Sequence, residues 1–174
     1  EIQGPLLVNN VALSIDMSSD GNVVAIGGPQ SDENGTNTGH VCVYDWVDGE
    51  WVIRGQPLLG RTYSSRAGNR VSLSYDGLIV AVGAPTLAGP EGYVMVYEWK
   101  DSSWVQLGVD ISAGQRGDLF GSGVSLSKDG KTIVVGAEFA RLADGLGYGG
   151  GGVRVFTLNC ITVYATDTAI ACET

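Results

Sequence analysis

One segment recurs three times along the chain, and no other feature narrows the fold as much. Val71-Ser72-Leu73-Ser74-Tyr75-Asp76-Gly77 runs on into Leu78-Ile79-Val80-Ala81-Val82-Gly83-Ala84-Pro85. The pattern returns as Val124-Ser125-Leu126-Ser127-Lys128-Asp129-Gly130 and Lys131-Thr132-Ile133-Val134-Val135-Gly136-Ala137-Glu138. An earlier copy runs from Ile15 through Asp20-Gly21 to Ile26-Gly27-Gly28-Pro29. A second element follows each copy: Gly39-His40-Val41-Cys42-Val43-Tyr44, Gly92-Tyr93-Val94-Met95-Val96-Tyr97 and Gly151-Gly152-Val153-Arg154-Val155-Phe156. A tandem period of roughly 55 residues means that one supersecondary unit is built three times, so each residue has to be read beside its counterparts.

Each unit reads as four short strands. The Val-Ser-Leu-Ser type segment is the first, and the Asp-Gly pair that ends it is a hairpin signal because Gly accepts positive φ. The second is a β-branched run without polar alternation, the pattern of a strand covered on both faces. After a loop of variable length comes a third strand with alternating Val. Trp46-Val47-Asp48-Gly49-Glu50-Trp51 and Trp99-Lys100-Asp101-Ser102-Ser103-Trp104 then form a last hairpin that sets two indoles opposite each other.

The 174 residues suffice for one domain, and 27 glycines with 44% hydrophobic and 17% charged residues exclude a disordered or long-helix chain. The predicted fold class is all-β: tandem four-stranded antiparallel blades of a β-propeller-like array, about three blades plus a spare N-terminal strand. Residues 1–8 read as the last strand of a preceding blade, because Ile2-Gln3-Gly4-Pro5-Leu6-Leu7 echoes Arg54-Gly55-Gln56-Pro57-Leu58-Leu59. Blades follow over 9–60, 61–114 and 115–157, and 158–174 is a divergent hairpin that either caps the array or starts another module.

Phe120-Gly121 ahead of Val124, with Gly136-Ala137 after the second strand, resembles the FG-GAP repeat of integrin α-chain propellers and the related tandem repeats of secreted and surface proteins. The resemblance covers about residues 2 to 157. The middle copy keeps Gly83-Ala84-Pro85 but has Ala67-Gly68 for Phe-Gly, and the first has Val11-Ala12. Integrin-type repeats often carry a calcium loop between strands one and two. Here that place holds only Ser19-Asp20-Gly21, Tyr75-Asp76-Gly77 and Lys128-Asp129-Gly130, too few oxygens for a cation that takes six to eight, so calcium is not carried over.

The remaining signals are few. The loop Ser31-Asp32-Glu33-Asn34-Gly35-Thr36-Asn37-Thr38 clusters oxygen ligands, which makes Asp32, Glu33 and Asn34 weak candidates for a metal such as calcium against the plainer reading of a solvated acidic loop. No cofactor is otherwise indicated. Asn34-Gly35-Thr36 is also an N-glycosylation sequon, with Asn34 the acceptor if a eukaryote secretes the protein. Arg116-Gly117-Asp118 fits the repeat's approach to strand one better than an adhesion tripeptide. The single histidine, His40, stands where the next repeat has Tyr93, so it reads as a strand residue and no enzyme is expected. Cys160 and Cys172 flank a predicted hairpin, and a disulfide between them is expected, which implies an oxidising compartment. Cys42 matches Met95 and Arg154, occupants that suggest partial exposure; it is either a free buried thiol or a link to another chain.

Ten Lys plus Arg against 19 Asp plus Glu leave a formal charge of -9, which argues against nucleic acid as a partner. No apolar run is long enough to span a bilayer. Three blades leave uncovered sheet faces, and such faces are association sites. The sequence therefore predicts an extracellular or cell-surface structural or adhesive protein. Its partners would be further copies of itself or further repeats of the same chain, with glycans on its loops. The alternative is a fragment of a larger single-chain propeller acting as a receptor or ligand-binding ectodomain.

Overall fold

The computed structural model describes residues 2, 13–86, 91–112, 115–140 and 150–158. Strands β1 (Ser14–Met17), β2 (Val23–Gly28), β3 (His40–Val47) and β4 (Glu50–Ile53) make an antiparallel meander, and the short β5 (Leu58–Leu59) returns to pair with the start of β3. The meander is repeated by β6 (Arg70–Leu73), β7 (Ile79–Ala84), β8 (Tyr93–Lys100) and β9 (Ser103–Gln106). β10 (Phe120–Leu126), β11 (Thr132–Ala137) and β12 (Gly152–Thr157) supply its first three strands again. The chain is all-β with blade-like repeats, and they do not close into a complete propeller. The segments expected at 1–8 and 158–174 lie outside the described residues except for Ile2 and Leu158.

Two turn chemistries separate the strands. In the Asp-Gly turns only Gly21, Gly77 and Gly130 have positive φ, at 76°, 68° and 68°, and the amide of each donates to the carbonyl of Ser18, Ser74 or Ser127 three residues earlier. This is a type I turn followed by a left-handed glycine, longer than the two-residue hairpin that Asp-Gly advertises. The serine decides it. Its hydroxyl donates to the Asp carboxylate at 2.6 Å in all three copies and accepts the amide of Val23, Ile79 or Thr132 at 2.9 Å. Two-residue turns occur instead at Asp48-Gly49 and Asp101-Ser102, where both residues have positive φ. They place Trp46 opposite Trp51 and Trp99 opposite Trp104, each pair with ring centroids 5.2 Å apart.

The sheets stack face to face, and the core lies in the seams between them. Val23, Ala25, Val41 and Val43 of the first sheet meet Val71, Leu73, Val80, Val82 and Met95 of the second. Ala81, Val94 and Val96 on the second sheet's other face meet Phe120, Ile133 and Val135 of the third. Each buried Val contributes about 1.5–3 kcal/mol, so the seams carry much of the stability. Central strands covered on both faces need no polar alternation, and β2 is buried along its whole length, as is β7 beyond its first residue. In β11 buried and more exposed residues alternate, because only one of its faces is covered.

Cys42 takes the free, buried form of the two alternatives and corrects the partial exposure that its counterparts suggested. It is wholly buried, packed with Val24, Ile26 and Tyr44 on the first sheet's outer face against Ile2 and Trp51, and its thiol is free. Met95 is wholly buried too, whereas Arg154 is exposed. The equivalence misled because burial at this position depends on what packs against each sheet.

Candidate functional site

What distinguishes the three sheets is the covering of their outgoing faces, the faces that point toward the next sheet in the chain. At the first seam a small residue on β2 lets the incoming backbone close: a Cβ on Gly27 would lie 2.1 Å from the carbonyl oxygen of Gly68. Asp16 on β1 reaches across and its Oδ2 accepts the Leu73 amide at 2.7 Å. The turns also join, with the Ser19 amide donating to the Tyr75 carbonyl at 3.0 Å, and Gly77 packs on Val23. The second seam repeats these contacts. A Cβ on Gly83 would lie 2.3 Å from the Gly121 carbonyl oxygen, Ser72 Oγ accepts the Leu126 amide at 3.1 Å, and the Tyr75 amide donates to the Lys128 carbonyl at 2.9 Å. Gly130 packs on Ile79.

On the third sheet the same positions are open. Among the described residues Gly136, equivalent to Gly27 and Gly83, has within reach of an added Cβ only Gly123 of its own sheet, at 3.5 Å. Val134 and Val153 are 38% and 63% exposed, whereas their counterparts Ala81 and Val94 are fully buried. The opposite end is open along β1 alone: Leu13, Ile15 and Met17 are 59%, 69% and 53% exposed, whereas Val71 and Leu73, the counterparts of Ile15 and Met17, are 8% and 7%, and Val24, Ile26, Cys42 and Tyr44 behind β1 on the same face are buried. These end faces are the principal candidate interaction surfaces of the described residues.

The rims of the first seam are polar. Arg54 holds Asp45 through Nε at 2.8 Å, donates through its Nη1 to the Gly77 carbonyl of the next sheet at 2.8 Å, and lies 5.5 Å from the centroid of Trp99. Trp104 Nε1 donates back to the Arg54 carbonyl at 2.9 Å. At the other rim Arg61 separates two clefts of about 400 and 230 Å³. Its Nε is 2.6 Å from Asp110 Oδ2, its Nη2 donates to Gln106 Oε1, and Gln106 Nε2 donates to Asp110 Oδ1 at 2.7 Å. The hydrogen bond to Asp110 holds the guanidinium pKa above its ordinary value. With its charge answered by protein groups, Arg61 is a clasp between sheets rather than an anion site. Sequence reasoning missed both arginines. The one usable signal for the seams was Asp16, Ser72 and Ser125, a short polar residue at one register position of an otherwise apolar strand.

The structure places the acidic-loop residues apart in direction. Asp32 Oδ1 accepts the Asn37 amide at 2.7 Å, Asn34 Nδ2 donates to the Gly60 carbonyl at 2.8 Å, and Glu33 Oε2 lies 3.8 Å from His40 Nδ1. Among the described residues no group of three or more His, Cys, Asp or Glu side chains is placed to hold a metal. Asn34 is exposed. His40 is 1% exposed, and burial pushes its pKa below the ordinary value, with Glu33 opposing. Asp118 of the Arg116-Gly117-Asp118 tripeptide is turned inward and buried, its Oδ2 accepting the Gln115 amide at 2.7 Å, so it caps a turn. Cys160 and Cys172, the expected disulfide, lie outside the described residues.

No family model and no curated protein matches the chain. Among solved structures it is similar to a protein named as a 6-phosphogluconolactonase from Bacteroides uniformis, at 16% identity and a TM-score of 0.55, over 90% of this chain and 40% of that one. It is similar also to the hydrazine synthase of Kuenenia stuttgartiensis, at 17% identity and a TM-score of 0.53, over 83% of this chain and 38% of that one. At such identities the likeness is one of fold, an antiparallel all-β architecture. The chain spans about two fifths of the length of these structures. Among the described residues no helix is long and apolar enough to cross a membrane.

Proposed function

We propose that the chain is an assembly module of an extracellular or cell-surface structural or adhesive protein, whose blade-like sheets join further sheets into a surface structure or filament. The observation that carries this reading is the third sheet's outgoing face: it has the glycine and the exposed valines of a seam, and no sheet of the described residues against it. The reading assigns no catalytic role, and its partners are other blade-like sheets rather than nucleic acid, which the charge of -9 disfavours. The exposed Asn34 sequon is compatible with a glycosylated, secreted chain. Sedimentation velocity over a wide concentration range, with electron microscopy of the same samples, tests it. Association into larger particles is expected, and a species that stays at 18.1 kDa at the highest concentration would overturn it.

A second reading, a fragment of a larger single-chain propeller serving as a receptor or ligand-binding ectodomain, is favoured by one observation. The chain spans only 40% and 38% of the structures it resembles. The intact mass of the polypeptide from its native source separates the two, since several further repeats in one chain would place the missing sheets in cis.

A further inference from the structure

The outgoing face of the third sheet and the exposed strand β1 lie at opposite ends of this chain, and we propose that a second copy joins them. The third sheet of one molecule docks head to tail on strand β1 of the next, the strand position that makes the contact in both existing seams. This inference rests on the assembly reading above and names its contact.

The argument is positional. In each existing seam a polar side chain in the middle of strand one accepts an amide from strand one of the following sheet: Asp16 from Leu73, Ser72 from Leu126. Ser125 holds that position in the third sheet, and its hydroxyl makes no hydrogen bond among the described residues. The amide that would come to it is that of Met17, the counterpart of Leu73 and Leu126. Met17 donates instead to the Oδ1 of its own neighbour Asp16, at 2.9 Å. The turn ladder is broken at the same two places. The amides of Ser19 and Tyr75 are each taken by the next turn, whereas that of Lys128 has no acceptor among the described residues. The Ser19 carbonyl of a second copy occupies the equivalent acceptor position.

Packing completes the match. Gly77 sits on Val23 and Gly130 on Ile79. In the proposed seam Gly21, beside whose position only Met17 Sδ among the described residues lies within 4 Å, would sit on Thr132. The exposed Ile15 and Met17 would cover Val134 and Val153, as Val71 and Leu73 cover the first sheet's outgoing face. Such a contact is heterologous, so it closes into a ring or extends as a fibre according to the rotation it imposes. Two copies of three sheets make about six, within the four to eight of closed blade rings.

The test uses the 174-residue chain, its Gly136→Val and Ile15→Lys variants, and sedimentation velocity. A Cβ on Gly136 meets nothing closer than 3.5 Å among the described residues and Ile15 is exposed, so both variants should keep the parent's β-sheet circular dichroism and melt no earlier than the parent when dilute. Each alone is expected to lose the associated species over the range in which the parent forms it. Mixing the two should restore one contact and give pairs that do not grow, because each supplies the end the other lacks. Association insensitive to both variants would overturn the head-to-tail contact while leaving assembly through another surface intact. Loss with Gly136→Val but not with Ile15→Lys would mean that two third sheets meet each other, and overturns it too. A parent chain that stays monomeric throughout, its open face covered by its own remaining residues or by repeats of a longer polypeptide, overturns both this contact and the assembly reading.

Discussion

The three equivalent glycines, Gly27, Gly83 and Gly136, provide an internal control on the seam argument, because the same Gly→Ala change should have opposite signs at different copies. A Cβ at Gly27 would lie 2.1 Å from the Gly68 carbonyl oxygen and at Gly83 2.3 Å from that of Gly121, both backbone atoms of the next sheet. Real Cβ contacts do not fall below 3.0 Å, so the incoming strand must withdraw by most of an ångström in either case. Seams pack at crystal-like density and the obstructing atoms cannot rotate aside, which puts the cost at the upper end of overpacking, about 3 kcal/mol. For a chain of this size that lowers Tm by about 6–12 °C. At Gly136 none of the described residues outside the sheet obstructs, and replacing a strand glycine by alanine removes backbone entropy from the unfolded state, worth about 0.5–1 kcal/mol, or a Tm higher by about 1–4 °C. Thermal unfolding followed by far-ultraviolet circular dichroism, at concentrations where the parent is monomeric, reads all three. Equal destabilisation by all three substitutions, or tolerance of Gly27→Ala, would refute the account of the seams.

Other outcomes follow from the same geometry. The Ser18 hydroxyl and the Asn22 amide hold the Asp20 carboxyl down to about 2, the Ser127 hydroxyl and the Lys131 amide lower that of Asp129, and at Asp76 burial pulls upward but the Ser74 hydroxyl and Leu78 amide outweigh it. Because these folded values lie below the ordinary 3.8, the stabilisation is complete above about pH 4 and lost as pH falls toward 2; urea midpoints measured across that window should drop, and the Asp20→Asn variant should drop less. Burial, then the Glu33 carboxylate, pushes the Cys42 thiol up to about 12, so it should resist alkylation at pH 8 in the native protein and react at once in denaturant. Modification of the native protein at the rate of a free thiol would contradict its burial. Ser72→Ala strands the Leu126 amide in the second seam and should cost about 1–3 kcal/mol by urea denaturation.

Much of the fold was legible because its signals are local. The serine, aspartate and glycine of each turn bond to one another within a few residues, and the Trp46/Trp51 and Trp99/Trp104 pairs are set by two-residue turns between them. The unalternating β2 and β7 correctly announced two covered faces. The candidate site was less legible. Arg54 and Arg61 act across a seam on Gly77, Gln106 and Asp110, partners 23 to 49 positions away, and no spacing rule connects them. In the acidic loop Asp32 Oδ1 and Asn34 Nδ2 bond the protein's own backbone while Glu33 faces His40, a divergence of direction that adjacency in the sequence does not show.

The amino-acid order determined what repeats within one unit: the strands, their turns and the alternation of side chains toward either face, since these depend on backbone sterics and neighbours a few residues away. Tertiary structure alone decided which repeats are covered. Val134 and Ala81 occupy one register position, as do Ile15 and Val71, yet one of each pair faces outward and the other is buried. The physical reason is that burial belongs to a pair of surfaces, and the second surface is supplied by a sheet some fifty residues distant or, at the two ends, by another molecule if the proposed seam forms.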